Sequence, residues 1–95
     1  MKVIDPKFHI EHDANSVLIV KTSNGEVVPE DEPLMLFRAR DRNALPMLRY
    51  YQDCCYKDGC TDFQMEGIAN RIAAFEDFRS KNPKRMKQPG ITKGL

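Results

Sequence analysis

Two consecutive helices are predicted by residues 44–75, which read ALPMLRYYQDCCYKDGCTDFQMEGIANRIAAF. Apolar side chains recur there at spacings of three and four residues, as they do along the buried face of an amphipathic helix. Asn43 is suited to cap the first helix, and Gly59 to end it. Thr61 and Gln64 have the spacing of a capping box for the second helix. Because so few residues separate the helices, we expect an antiparallel αα-hairpin.

A small antiparallel sheet is predicted upstream of this hairpin. Residues 7–11 (KFHIE) alternate between apolar and polar side chains, and residues 16–22 (SVLIVKT) are rich in β-branched side chains, so both segments are typical of strands. The NG pair at residues 24–25 favours a tight turn in which both central residues need positive φ. Residues 26–28 should then pair back briefly, until Pro29 removes a backbone donor.

The apolar run at residues 34–38 (LMLFR) fits either a short strand or the first turns of a helix, because periodicity does not distinguish them over so few residues. We favour a fourth strand, since a helix continued from this run would hold Pro46 deep in its interior. The predicted fold is therefore α+β. A small antiparallel sheet of three or four strands packs against a C-terminal αα-hairpin.

Charge is distributed unevenly along the chain. The sequence has 15 basic and 14 acidic residues, yet no acidic residue occurs from Arg79 onward. We interpret residues 1–80 as a single domain and residues 81–95 as a basic, flexible tail, since the tail has prolines, glycines and little periodicity. A domain this small buries only about 60–65% of the surface that its unfolded chain exposes, so its stability is marginal and we expect a homo-oligomer.

Several function classes are disfavoured by features that the sequence lacks. It has no apolar run long enough for a signal peptide or a membrane span, so we expect a cytoplasmic protein with reduced cysteines. It has no G-x-S-x-G motif, no Cys/His catalytic signature and no glycine-rich phosphate loop. We therefore expect no enzymatic activity and no cofactor.

The cysteines and histidines do not have the spacing of a metal site. Cys54 and Cys55 are adjacent and diverge around a helix, whereas His9 and His12 should point to opposite faces of a strand. We therefore expect no bound metal. Cys60, next to the start of the second helix, is a candidate reactive thiol, and a structural role is the commoner alternative for such a residue.

Three arginines alternate with other residues at Arg38, Arg40 and Arg42. If a strand continues past Phe37, all three guanidinium groups project from one face and can hold a phosphate or a carboxylate. Alternatively, they are solvated edge-strand charges that pair with the acidic residues 30–32.

Two further segments are candidate contact surfaces. Tyr50 is an exposed aromatic residue of the kind enriched at protein interfaces, or it simply packs within the fold. In the tail, Lys84, Arg85 and Lys87 can attract nucleic-acid phosphates or an acidic protein surface, although the tail lacks aromatic residues for base stacking. The alternative is a tail that serves only solubility.

Residues 25–51 read GEVVPEDEPLMLFRARDRNALPMLRYY, an acidic segment with a proline, an apolar run, Arg-Ala-x-Asp and a predicted helix. This segment resembles small uncharacterised proteins of bacteriophages and prophages; the matching positions are Glu32, Pro33, Arg38, Ala39 and Asp41. The resemblance implies that the chain acts by binding. We expect a non-enzymatic phage-type accessory protein that inhibits or sequesters a host protein or a small anionic ligand, such as a nucleotide. The alternative is a nucleic-acid-associated protein that contacts phosphates through its tail.

Overall fold

The computed structural model describes residues 5–88, in the order strand, strand, helix, helix and short 3₁₀ helix. The chain forms two compact units, unit 1 (Met1–Met35) and unit 2 (Leu36–Leu95). Unit 1 holds the strands and unit 2 the helices, so the fold is α+β, as predicted. The single domain over residues 1–80 stays a prediction. None of the helices in the part of the chain that the structure describes is long and apolar enough to cross a membrane.

The sheet of unit 1 has two antiparallel strands, β1 (Phe8–His12) and β2 (Val17–Lys21). Their bounds lie within one residue of the two strands that alternation and β-branched side chains predict. The register places Ile10 opposite Ile19. Val20 is only 2% exposed and is the buried apolar residue of the sheet.

Residues 26–28 pair back on β2, as predicted. They do so through an isolated bridge between Val27 and Val20, and they form no strand of their own. The Val28 N–H donates to the Ile19 carbonyl at 2.9 Å. Within residues 5–88 the sheet thus has two strands and one bridge, where three or four strands were predicted.

The turn before this bridge differs from the one that the NG pair predicts. Among residues 5–88, positive φ occurs only at glycines, so Gly25 has a φ of 75° but Asn24 does not share the left-handed conformation. The Gly25 N–H donates to the Lys21 carbonyl at 2.8 Å. The Asn24 side chain accepts a hydrogen bond from the Glu26 N–H at 2.9 Å. This wider loop needs a single left-handed residue, and glycine adopts that conformation without a Cβ clash.

Residues 34–38 form neither the fourth strand that we favoured nor a helix. Leu34, Met35 and Leu36 are 53%, 78% and 84% exposed, and the boundary between the two units falls within this run. The fourth-strand prediction is wrong because a strand needs a neighbouring backbone to pair with, and apolar side chains do not supply one.

Unit 2 contains two helices, α1 (Ala44–Lys57) and α2 (Asp62–Lys81), close to the predicted bounds. Their buried side chains form one cluster, whose members are Leu45, Cys55, Ile68 and Ile72. An ion pair of 2.6 Å joins Arg49, early in α1, to Glu76, late in α2. Contacts between the start of one helix and the end of the next are those of an antiparallel hairpin.

The two helix starts are capped differently. The Thr61 hydroxyl accepts a hydrogen bond from the Gln64 N–H at 3.2 Å, as the predicted capping box requires. Asn43 is the N-cap residue of α1, but its side chain makes no capping hydrogen bond. The Asp41 carboxylate instead accepts from the Asn43 N–H at 2.8 Å and holds the loop that leads into α1.

Candidate anion-binding surface

The C-terminal basic segment folds back on the loop that precedes α1. The Lys87 N–H donates to the Arg40 carbonyl at 2.7 Å, and the Arg42 N–H donates to the Lys87 carbonyl at 2.8 Å. These two hydrogen bonds form a parallel bridge between Asp41 and Lys87. Backbone bonds, rather than charge, therefore bring the two basic segments together.

A 3₁₀ helix over Pro83–Arg85 leads from α2 to this bridge. At its start the Asn82 side-chain amide donates to the Phe78 carbonyl at 3.1 Å. The Arg85 guanidinium lies 4.7 Å from the centroid of the Phe78 ring, within the range of a cation–π contact. Residues 82–87 thus have hydrogen-bonded structure. The flexibility of the tail over residues 81–95 stays a prediction, and residues 89–95 lie outside the described residues.

The arginines before α1 do not lie on a strand. The Asp41 N–H donates to the Arg38 carbonyl at 2.9 Å, and the Ala44 N–H donates to the Asp41 carbonyl at 3.1 Å, so the chain makes two consecutive turns. The condition for projecting all three guanidinium groups from one face, a strand that continues past Phe37, is therefore not met. Arg38 and Arg42 are exposed, and Arg40 is half-buried.

Six basic residues are carried by the two bridged segments, and we call them the basic surface: Arg38, Arg40, Arg42, Lys84, Arg85 and Lys87. None of the six forms an ion pair with another residue in the described part of the chain. The alternative in which the arginines pair with the acidic residues 30–32 stays a prediction. Positive charges that are not neutralised within the chain raise the local potential and attract anions.

Tyr50, the other predicted contact residue, lies on α1 and is 72% exposed. No ring contact among the described residues joins it to the basic surface. Its role in contacting a partner stays a prediction.

Two surface grooves occur, one within each unit. One, of about 380 Å³, lies between Arg49 and Tyr56 on α1 and Met65 on α2. The other, of about 340 Å³, lies in unit 1 and includes Val17 and Val27 in its lining. Neither groove includes a member of the basic surface. A ligand on the basic surface would therefore be held by exposed side chains rather than enclosed in a groove.

The role of Phe78 and Asn82 was not recognised in the sequence, yet a signal for it exists. Phe78 continues the spacing of Ile68, Ile72 and Phe75 by one further step, and the Asn82-Pro83 pair is a typical helix stop. Extending the apolar pattern to Phe78 would have shown that the segment after α2 has a side chain to pack against.

Within residues 5–88, no group of three or more metal-ligating side chains could hold an ion.

No family model, curated protein or solved structure matches the chain.

Proposed function

We propose that the protein is a non-enzymatic binding protein whose basic surface holds the phosphate backbone of a nucleic acid. The observation that carries this proposal is a pair of backbone hydrogen bonds: the Lys87 N–H donates to the Arg40 carbonyl at 2.7 Å, and the Lys87 carbonyl accepts from the Arg42 N–H at 2.8 Å. They hold side by side the segment whose arginines were expected to bind a small anion and the tail segment that was expected to bind nucleic acid. The setting implied by the resemblance to phage proteins, some of which occupy nucleic acid, agrees with this ligand.

A polyanion suits the basic surface better than a single small anion does. A small anion is held best by donors that converge in a cavity, whereas five of the six side chains are exposed and neither described groove includes any of them. A repeating phosphate backbone can instead contact several exposed cations at once, because each contact releases counterions independently.

Salt dependence of binding tests this proposal. The full chain should bind a mixed-sequence DNA oligonucleotide, single-stranded or duplex, with an affinity that falls steeply between about 50 and 200 mM salt. A triple variant, Arg38→Ala, Arg42→Ala and Lys84→Ala, should bind more weakly and reduce the slope of log affinity against log salt by about two to three. Fluorescence anisotropy measures both quantities.

Lys57→Ala is the matched control for this experiment. Lys57 is an exposed cation of the same unit, but it lies outside the basic surface and pairs with Asp53 at 3.0 Å. Its loss should leave both the affinity and the slope close to those of the parent protein. Equal binding by the parent and the triple variant, or binding that is insensitive to salt, would sink the proposal.

A protein partner is the second candidate, and exposed apolar area favours it. Met35 and Leu36 are 78% and 84% exposed, and Tyr50 is 72% exposed. Side chains of this kind are enriched at the centre of protein interfaces, including the interfaces of homo-oligomers. Native mass spectrometry of the gently purified full chain reads subunit number and bound partner together. A bare monomer over the micromolar range would count against both a host partner and a homo-oligomer.

A further inference from the structure

Two cysteines occupy the hydrogen-bonded positions at the C-terminal end of α1. The Cys60 N–H donates to the Cys55 carbonyl at 3.1 Å, and the Gly59 N–H donates to the Tyr56 carbonyl, also at 3.1 Å. Gly59 has a φ of 72°. Six-to-one and five-to-two hydrogen bonds around a left-handed glycine define a Schellman motif, so Cys55 and Cys60 are its first and last residues.

This motif brings the side chains of its first and last residues together. A side-chain contact between these two positions commonly accompanies the motif. Cys55 is 5% exposed and belongs to the core cluster of unit 2, and the half-buried Cys60 packs against the same cluster. A disulfide needs Cα atoms about 4.4–6.8 Å apart, and the backbone hydrogen bond between Cys60 and Cys55 holds these two residues side by side.

Tyr51 is a neighbour of the Cys55 side chain on the same helix. It lies one helical turn before Cys55, and its pKa is raised, first by burial, then by its hydrogen bond with the Cys55 side chain and by the proximity of the Cys55 and Cys60 thiols. A hydrogen bond with the Gln64 side chain acts in the opposite direction. The Tyr51 hydroxyl therefore contacts the Cys55 side chain, and its pKa also responds to the Cys60 thiol.

We propose that Cys55 and Cys60 are a redox-modifiable pair that a hydroperoxide converts from two thiols to an intramolecular disulfide. Cys60 is the residue that reacts first, because it is the more exposed of the two and directly precedes Thr61, the N-cap of α2. A thiolate beside a helix N-terminus is stabilised by the backbone N–H groups there.

The reaction with hydrogen peroxide proceeds in two steps. The Cys60 thiolate attacks one peroxide oxygen, the O–O bond breaks, and the departing hydroxide takes up the proton that Cys60 released, which leaves a sulfenic acid on Cys60. The Cys55 sulfur then attacks the Cys60 sulfur. The S–S bond forms, the S–O bond breaks, and the departing hydroxide takes up the Cys55 proton. Two thiols are oxidised, and the peroxide is reduced to two water molecules.

Cys54 is the internal control for this pair. It is half-buried and adjacent to Cys55, but it points away from Cys55 around the helix and takes no part in the Schellman motif. It should therefore stay a thiol while the disulfide forms, and Cys54→Ser should oxidise like the parent protein.

The test treats the reduced full chain with hydrogen peroxide, alkylates the remaining thiols, and reads intact mass and peptide linkage. We expect one alkylated site, Cys54, and a cross-linked peptide that joins Cys55 to Cys60. Dithiothreitol should restore all three alkylation sites. The oxidised protein should also melt at a higher temperature than the reduced one, because the disulfide constrains the unfolded chain.

Variants separate this pair from the alternatives. Cys60→Ser changes a half-buried residue, so it should fold normally yet form no intramolecular disulfide under peroxide. Circular dichroism of that variant confirms that the loss is not one of folding. Three thiols that remain alkylatable after peroxide, a link that involves Cys54, or a link between two chains would each overturn the proposal.

Discussion

Unit 1 and unit 2 differ in how many apolar side chains they bury. In unit 1, Val20 is the one buried apolar residue among those described, and side-chain hydrogen bonds such as the three that Asp13 accepts shape the turns. In unit 2, buried side chains from both helices share one cluster, and the loops around it are held by side-chain bonds, such as the one that Asp41 accepts from the Asn43 N–H, as well as by backbone bonds. Two-stranded sheets are marginally stable alone, so we expect unit 2 to be the more stable of the two.

The largest expected effect is the loss of a cluster side chain in unit 2. Leu45 is 5% exposed and belongs to that cluster, so Leu45→Ala should lower the free energy of unfolding by about 2–4 kcal/mol. Urea denaturation followed by circular dichroism at helical wavelengths measures this change. Met47→Ala, at a more exposed position of the same helix, is the control and should cost under about 1 kcal/mol. Equal losses in both variants would mean that the cluster does not stabilise unit 2.

Val20→Ala makes the corresponding change in unit 1. It removes two methyl groups from a site that is 2% exposed, so we expect a loss of about 1–2 kcal/mol. Amide hydrogen exchange should show this loss in β1 and β2 and leave the amides of α1 protected. If the exchange rates of the α1 amides rise as much as those of the strand amides, Val20 does not stabilise unit 1 alone, and the comparison between the units is wrong.

The two left-handed glycines sharpen the comparison because each shapes a turn in a different unit. An added Cβ would meet nothing within 4 Å at Gly25 or at Gly59, so an alanine there is opposed by backbone conformation alone. Gly25→Ala and Gly59→Ala should each lower the free energy of unfolding by about 1–2 kcal/mol. The loss should be measured as reduced amide exchange protection in the unit that contains the substituted glycine. Gly67→Ala, in the middle of α2, is the control and should be neutral or stabilising. A neutral Gly59→Ala would show that the Schellman motif contributes little to unit 2.

The smallest expected effects are pH-dependent and opposite in sign in the two units. Hydrogen bonds from the Asn15 N–H and from Ser16 lower the pKa of Asp13 below its usual 3.8. The stability that these hydrogen bonds give to the folded state is present above the pKa of Asp13 in the unfolded chain. It is lost as the pH falls through the pKa of Asp13 in the folded chain. Burial raises the pKa of Tyr51 above 10.0, so its contribution is present below that value and is lost as the pH rises through the folded pKa.

NMR titration of the carboxyl groups and ultraviolet titration of the three tyrosines measure these shifts. We expect Asp13 to titrate below 3.8 and one tyrosine, absent in Tyr51→Phe, to titrate above 10.0. Asp13→Asn should remove the acid-side loss in unit 1, and unit 2 should not respond to that change. An Asp13 carboxyl that titrates at or above 3.8 would contradict the role of its hydrogen bonds in the turn.

Sequence patterns were sufficient to predict the structure where that structure depends on residues close together in the chain. The helix bounds followed from apolar periodicity with Thr61 and Gly59 at the ends, and the two strands followed from alternation and β-branching. The NG pair marked the right place for a turn but not its type, because the Asn24 side chain bonds to the Glu26 N–H and Asn24 itself keeps negative φ. Turn type depends on such competing bonds as well as on residue preference.

The sequence by itself determined the two helices, the two strands, the charge of the C-terminal segment and the identity of the six cations. Only the tertiary structure decided that residues 34–38 stay unpaired, that Lys87 bridges to Arg40 and Arg42, and that Cys60 meets Cys55. The reason is that side-chain periodicity reports which face of an element is apolar, whereas backbone pairing depends on which distant segment supplies the partner carbonyl and N–H. The basic surface arises from that pairing, so its two halves could be recognised in the sequence but their union could not.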